Sequence, residues 1–174
     1  MTKNEWLAKL DESGWLSEVP ATEAERIRRD LAGAAPDAPS WHHVLAAGGY
    51  DSESIENSGD YRKWVVSAYV DASCGAFKPS KVKDVVNLDK GVATVSVELG
   101  DRTFQKQFQQ DGDVVADGFH EFMNEVVAAT GEQRRFHELP TGDQTAALAF
   151  VTPSVYRRAK KLGLVPQESW WKFW

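Results

Sequence analysis

The sequence predicts an α+β fold in which N-terminal short helices precede an antiparallel sheet of 4-5 strands, ordered β-β-β-α-β-β-α, with helices packed on one face. Three observations predict it. Apolar residues recur at helical spacing through roughly the first 70 residues. The period then changes to strict alternation across residues 93–99. Short turn sequences join the extended runs, so they pair as antiparallel hairpins. The 174 residues fit one domain, with a helical part (1–75), a β-β-β-α-β-β-α part (80–165) and an aromatic C-terminal tail (166–174). With 42% hydrophobic and 26% charged residues, the chain has the composition of a protein with a packed core.

Thr2 and Glu5 form a capping-box pair opening the first helix, which carries Trp6, Leu7 and Leu10 on one side and stops at Gly14. Thr22 and Glu25 repeat the signal for a helix with Ala24, Ile27 and Leu31, ended by Gly33, Pro36 and Pro39. Ser40 would cap a third short helix with Trp41, Val44 and Leu45, broken by Gly48 and Gly49. Residues 51–59 read as an acidic loop. A helix from Tyr61 to Ala72 then lines up Tyr61, Trp64, Val65, Ala68 and Tyr69, with Val66 and Val70 widening a face that predicts burial on more than one side.

In the second half, Ala93, Val95, Val97 and Leu99 alternate with Thr94, Ser96 and Glu98, the pattern of a half-buried strand. Gly100-Asp101 is a two-residue hairpin signal. It sets Phe104 opposite Val97 and Phe108 opposite Ala93, with Lys106 opposite Val95 as the one misfit. An earlier strand is predicted at 82–86. Phe119, Phe122, Met123, Val126 and Val127 spell a helix with Asp117 as N-cap and Gly131 just past its end. Two strands, 134–139 and 145–151, flank the turn Pro140-Thr141-Gly142-Asp143. Thr152-Pro153 opens the last helix, whose Arg157, Arg158, Lys160 and Lys161 suit the negative pole of the helix dipole.

The net charge of −6 argues against a nucleic-acid partner, because phosphate neutralisation needs clustered cations, and it suits a basic protein partner. No stretch approaches the ~20 apolar residues of a bilayer span, and the N-terminus has no apolar signal core. The expectation is therefore no membrane partner and a cytoplasmic location. Cys74 is the one cysteine, which excludes an intramolecular disulfide. Placed beyond a helix C-terminus, it reads as a structural thiol, since a reactive one wants a helix N-terminus or a cation. No P-loop, GxGxxG, GxSxG or HExxH occurs, so no catalytic residue, cofactor or metal ligand is assigned. The histidines His42, His43, His120 and His137 would form a metal or acid–base site only if two converge in the fold.

Residues 51–60 carry Asp51, Glu53, Glu56 and Asp60, but Gly59 falls too late for a calcium loop. They are either a solvated loop or an acidic ridge for a basic partner. The tail Trp170-Trp171-Lys172-Phe173-Trp174 is apolar enough to dock on this chain or on a partner.

A helix with Phe119, Phe122, Asn124 and Val127 is followed by Arg135-Phe136-x-x-Leu139 and Thr141-Gly142-Asp143-Gln144. Phe150-x-Thr152-Pro153 and a closing helix ending at Gly163 complete the pattern. This stretch, roughly residues 115–165, resembles small bacterial immunity and immunity-like proteins of contact-dependent or polymorphic toxin systems. The resemblance implies a non-enzymatic inhibitor that blocks a cognate toxin, and it carries over neither catalytic nor binding residues.

The leading expectation is a protein-binding domain, an immunity or antitoxin-type partner of a basic toxin. Its partner-binding residues would be Tyr50, Asp51, Glu53, Glu56 and Asp60 with Trp170, Trp171 and Trp174. Carboxylates would steer encounter and aromatic rings would anchor it. Two alternatives stay open. One is an enzyme that sets His120 or His137 beside Glu121 or Glu138, and the other is a homodimer or assembly module built on the tryptophan tail.

Overall fold

The computed structural model describes residues 1–35 and 41–166. The first capping box forms as read. The Thr2 hydroxyl accepts the Glu5 N–H at 3.2 Å and the Glu5 carboxylate accepts the Thr2 N–H at 2.7 Å, which opens α1 (Lys3–Ser13). Left-handed Gly14 turns the chain into the short α2 (Trp15–Glu18). Helix α3 (Ala21–Gly33) does not use Thr22 and Glu25 as a cap. It starts behind Pro20, with no side-chain cap, because proline has no N–H to satisfy and a φ already suited to the helix start. A single 3-10 turn (His42–Leu45) stands in place of the third helix, and its expected cap Ser40 lies outside the described residues.

Strand β1 (Gly48–Asp51) follows, where a helix break and a loop were expected. Four residues with two glycines carry no strand pattern; pairing makes this a strand. A Cβ on Gly48 would lie 2.2 Å from the Ala68 carbonyl oxygen, and one on Gly49 would lie 2.9 Å from that of Ala146. The predicted 61–72 helix is in two parts, a π-helix (Tyr61–Val66) running into α4 (Ser67–Ala72). The wider winding shifts the face, so Trp64 is 47% exposed under the Lys63 ammonium instead of buried with Tyr61 and Val65.

Strands β2 (Lys81–Asn87), β3 (Val92–Leu99) and β4 (Arg102–Gln109) form an antiparallel sheet in that order. The hairpin register is the one read from the sequence: Val97 opposite Phe104, Ala93 opposite Phe108 and Lys106 opposite Val95. The misfit Lys106 places its ammonium 5.7 Å from the Phe108 ring centroid. Along the outer edge of β2, the Ser58 hydroxyl accepts from the Val86 N–H at 2.8 Å and also contacts the Val86 carbonyl.

Helix α5 (Phe119–Ala128) takes left-handed Gly118, not Asp117, as its N-cap. The backbone there has φ 78°, which glycine adopts without strain. Strands β5 (Arg135–Leu139) and β6 (Thr145–Val151) pair with β1 in a second sheet ordered β1-β6-β5. Helix α6 (Pro153–Lys161) begins as predicted, with the Thr152 hydroxyl accepting the Val155 N–H. The α+β class and the antiparallel pairing therefore hold. The single sheet of four to five strands is corrected to two three-stranded sheets, because β1 joins β6 and gives β5 and β6 a sheet of their own.

Nor do the helices cover only one face. Phe136, Leu148 and Phe150 point from the β1-β6-β5 sheet into a core shared with α4, α5 and the inner face of the other sheet. Leu139, Ala149 and Val151 point the other way, into a core built with α1, α2, α3 and α6. Among the described residues, no helix is long and apolar enough to cross a membrane.

Candidate functional site

A concavity of about 640 Å³ opens at one end of the β1-β6-β5 sheet. Tyr50 and Ser52 of the β1 segment line it together with residues 115–121 and the β5–β6 hairpin, 138–146. Behind the 115–116 part of this lining, buried Tyr61 and Gln110 brace the loop. The Tyr61 hydroxyl donates to Gln110 Oε1 at 2.8 Å and accepts the Ala116 N–H at 2.8 Å. The Gln110 amide then holds the carbonyls of Gly112 and Val114 at 2.9 and 2.7 Å. This lattice fixes the 110–116 loop and aims Asp117, at the mouth of α5, into the cleft.

Four carboxylates line the cleft, those of Asp117, Glu121, Glu138 and Asp143, and no Lys or Arg does among the described residues. Asp143 caps its own turn by accepting the Thr145 N–H at 2.8 Å, and bonds from Thr145 and Thr141 hold its pKa below the ordinary value. At the inner wall His120 Nδ1 lies 3.0 Å from the Tyr69 hydroxyl and 3.5 Å from Glu138 Oε1. Asn124 Nδ2 lies 3.1 Å from His120 Nε2, and the Tyr50 hydroxyl reaches Glu138 Oε1 at 3.4 Å. Burial, above all, pushes the Tyr50 and Tyr69 hydroxyls well above the usual phenol pKa, and the Glu138 charge adds to it, so both stay protonated donors.

The residues singled out in the sequence fall in different places. Tyr50 is 8% exposed and belongs to this cluster, not to an outer ridge. Asp51 is exposed, and its Oδ1 accepts the Glu53 N–H at 3.0 Å. Asp60 accepts the N–H groups of Glu56 and Asn57 at 3.0 and 2.7 Å, so turn formation occupies it. The side chains of Glu53 and Glu56 are exposed. Trp170, Trp171 and Trp174 lie outside the described residues. Cys74 is exposed at a left-handed φ of 50° just past α4, and its thiol is held above the ordinary pKa, chiefly by burial.

Of the histidine–carboxylate pairings considered, the fold brings together His120 and Glu138. His137 stacks on Tyr156 at 4.0 Å between ring centroids, and burial lowers its pKa to about 4. His42 bonds the Pro140 carbonyl and His43 is exposed. Among the described residues, no group of three His, Cys, Asp or Glu side chains is placed to hold a metal ion.

Sequence reading missed Tyr69 and Asn124 as polar participants. Both left a signal: Asn124 is a poor helix former between Met123 and Val126 on an apolar helix, and Tyr69 brings a hydroxyl to an apolar face. No family model, curated protein or solved structure matches the chain.

Proposed function

We propose that this is a binding protein whose acidic cleft receives a cationic side chain, or a short basic segment, of a protein partner. One observation carries the reading: four acidic residues line a cavity of about 640 Å³ with no basic residue among its described lining. Low-dielectric walls focus the field of such a cleft and speed the encounter with a positively charged surface. The resemblance to immunity proteins supplies the partner's class, a basic bacterial toxin met in the cytoplasm. Inhibition would follow from covering a positive active site.

The test is calorimetric titration with an Arg-rich peptide against the parent and against a variant carrying Asp117→Asn, Glu121→Gln and Asp143→Asn. Binding should weaken with added salt and fall at least tenfold in the variant, that is by about 1.4 kcal/mol. Equal binding by both proteins, or none by the parent, refutes the reading.

One observation favours a second reading. His120 and Glu138 meet at 3.5 Å on the wall of a cleft, the arrangement an acid–base enzyme would use. Turnover of chromogenic ester or phosphoester substrates, lost in Glu138→Gln, would support it over simple binding.

A further inference from the structure

Phe136 turns both its N–H and its carbonyl outward from β5, and the side chain of Asn124 answers both. Oδ1 accepts the Phe136 N–H at 2.8 Å and Nδ2 donates to the Phe136 carbonyl at 3.1 Å. An N–H needs an acceptor and a carbonyl needs a donor, so the backbone of β5 decides which end of the amide is oxygen. The same Nδ2 lies 3.1 Å from His120 Nε2. It can only donate, so Nε2 must offer a lone pair, and the neutral imidazole carries its proton on Nδ1.

That proton points to the Tyr69 hydroxyl at 3.0 Å, with Glu138 Oε1 at 3.5 Å. Tyr69 accepts it, and its ring stacks on that of Tyr50 at 6.1 Å between centroids. Tyr50 in turn donates to Glu138 Oε1 at 3.4 Å. The donors thus run from Asn124 through His120 to Tyr69, while His120 Nδ1 and the Tyr50 hydroxyl both meet the same carboxylate oxygen of Glu138 at 3.5 and 3.4 Å.

We infer that Glu138 is the ligand-contacting group of the cleft, and that Asn124, His120, Tyr69 and Tyr50 are positioning residues that hold its carboxylate in place as an anion. Both ring nitrogens of His120 are engaged inside the protein, so it has no lone pair to present to the cleft. Glu138 is different, with 46% of its side chain exposed. Two donors, Tyr50 and His120, converge on a carboxylate that can accept about four hydrogen bonds, so acceptor capacity remains for a guanidinium or ammonium group. The ligand's charge rests on the cleft reading proposed above, whereas the direction of the hydrogen bonds is a property of the free protein.

The two parts are tested separately. Nitrogen-15 NMR of the histidines in the full, unliganded chain at mildly alkaline pH should show His120 in the Nδ1–H tautomer. Asn124→Asp replaces the donor facing Nε2 with an acceptor, and His120 should then carry a proton on Nε2. Should that variant fail to fold, Tyr50→Phe keeps the ring and removes one donor, and the carbon-13 carboxyl resonance of Glu138 should move from its position in the parent. A parent His120 in the Nε2–H form, or an unchanged Glu138 carboxyl resonance in Tyr50→Phe, overturns the positioning assignment. With arginine amide as probe, Glu138→Gln should lose at least tenfold in affinity, and undiminished binding removes Glu138 from the contact. A parent with the expected tautomer that fails to bind arginine amide refutes the cationic ligand and leaves the positioning assignment standing.

Discussion

The two sheets are built from the same antiparallel pairing but meet different surroundings. In β2-β3-β4 one face packs on the core through Ala93, Val95, Val97 and Phe108, while the other carries Lys83, Val85, Gln105 and Gln107 outward. In β1-β6-β5 both faces are covered, and β6 is buried at every position from Leu148 to Val151. The polar cluster sits where that doubly covered sheet runs out, at Tyr50 on β1 and Glu138 on β5. Rigid packing on two sides is what can hold the five polar side chains in one arrangement.

The sharpest way to break the contrast is Phe136→Ala. The Phe136 ring contacts those of Tyr69, Phe77 and Phe150 at 4.7, 5.9 and 4.6 Å between centroids, and truncation should cost about 3–5 kcal/mol in urea unfolding. A similar or smaller loss, about 3 kcal/mol, is expected for Gly48→Ala, because the added methyl would meet the Ala68 carbonyl and the Ala72 nitrogen, both backbone atoms of α4.

Acid should act next, through His137 on the doubly covered sheet. Burial lowers its folded pKa from 6.5 to about 4, so between those values the unfolded chain binds the extra proton. This contribution is complete above pH 6.5 and is lost as pH falls towards 4, by about 3 kcal/mol across the window. His137→Phe, which keeps a ring against Tyr156, should flatten that part of the stability-versus-pH curve in denaturant titrations. The smallest effect belongs to the outer face of the other sheet. Val85 is 65% exposed, and Val85→Thr should change stability by no more than about 0.5 kcal/mol in the same urea assay. A loss there comparable to that of Phe136→Ala would mean that something covers this face.

This contrast also governs what the sequence could reveal. Half-solvated strands write their orientation as alternation, so the β3–β4 register, down to Lys106 against Val95, was readable in advance. Strand β6 could be recognised as extended, but a run buried on both faces does not say that two different cores meet on it. Strand β1 was invisible because Gly48 and Gly49 are there for close approach to α4 and β6, which resembles a helix break until the partner strand is known. In the cleft, His120 and Glu138 were nameable as a candidate pair. Their meeting depends on α5 lying along β5, which the Asn124–Phe136 bonds establish and which no local pattern encodes. Asp51 and Asp60 looked like a recognition ridge because the carboxylates that shape turns and those that greet partners are the same residue type.

The Ser58 hydroxyl on Val86 has a consequence for self-association. An outermost strand leaves every second residue with free backbone groups, and a second chain can use that row to extend the sheet and seed fibres. On β2 the 58–59 turn covers the row near its end, with Ser58 on the Val86 backbone, and the Asp84 carboxylate accepts the N–H groups of Gly59 and Arg62 to hold the turn there. Removing that hydroxyl would leave the fold's cores intact while uncovering the N–H and carbonyl of Val86 at that end of the edge.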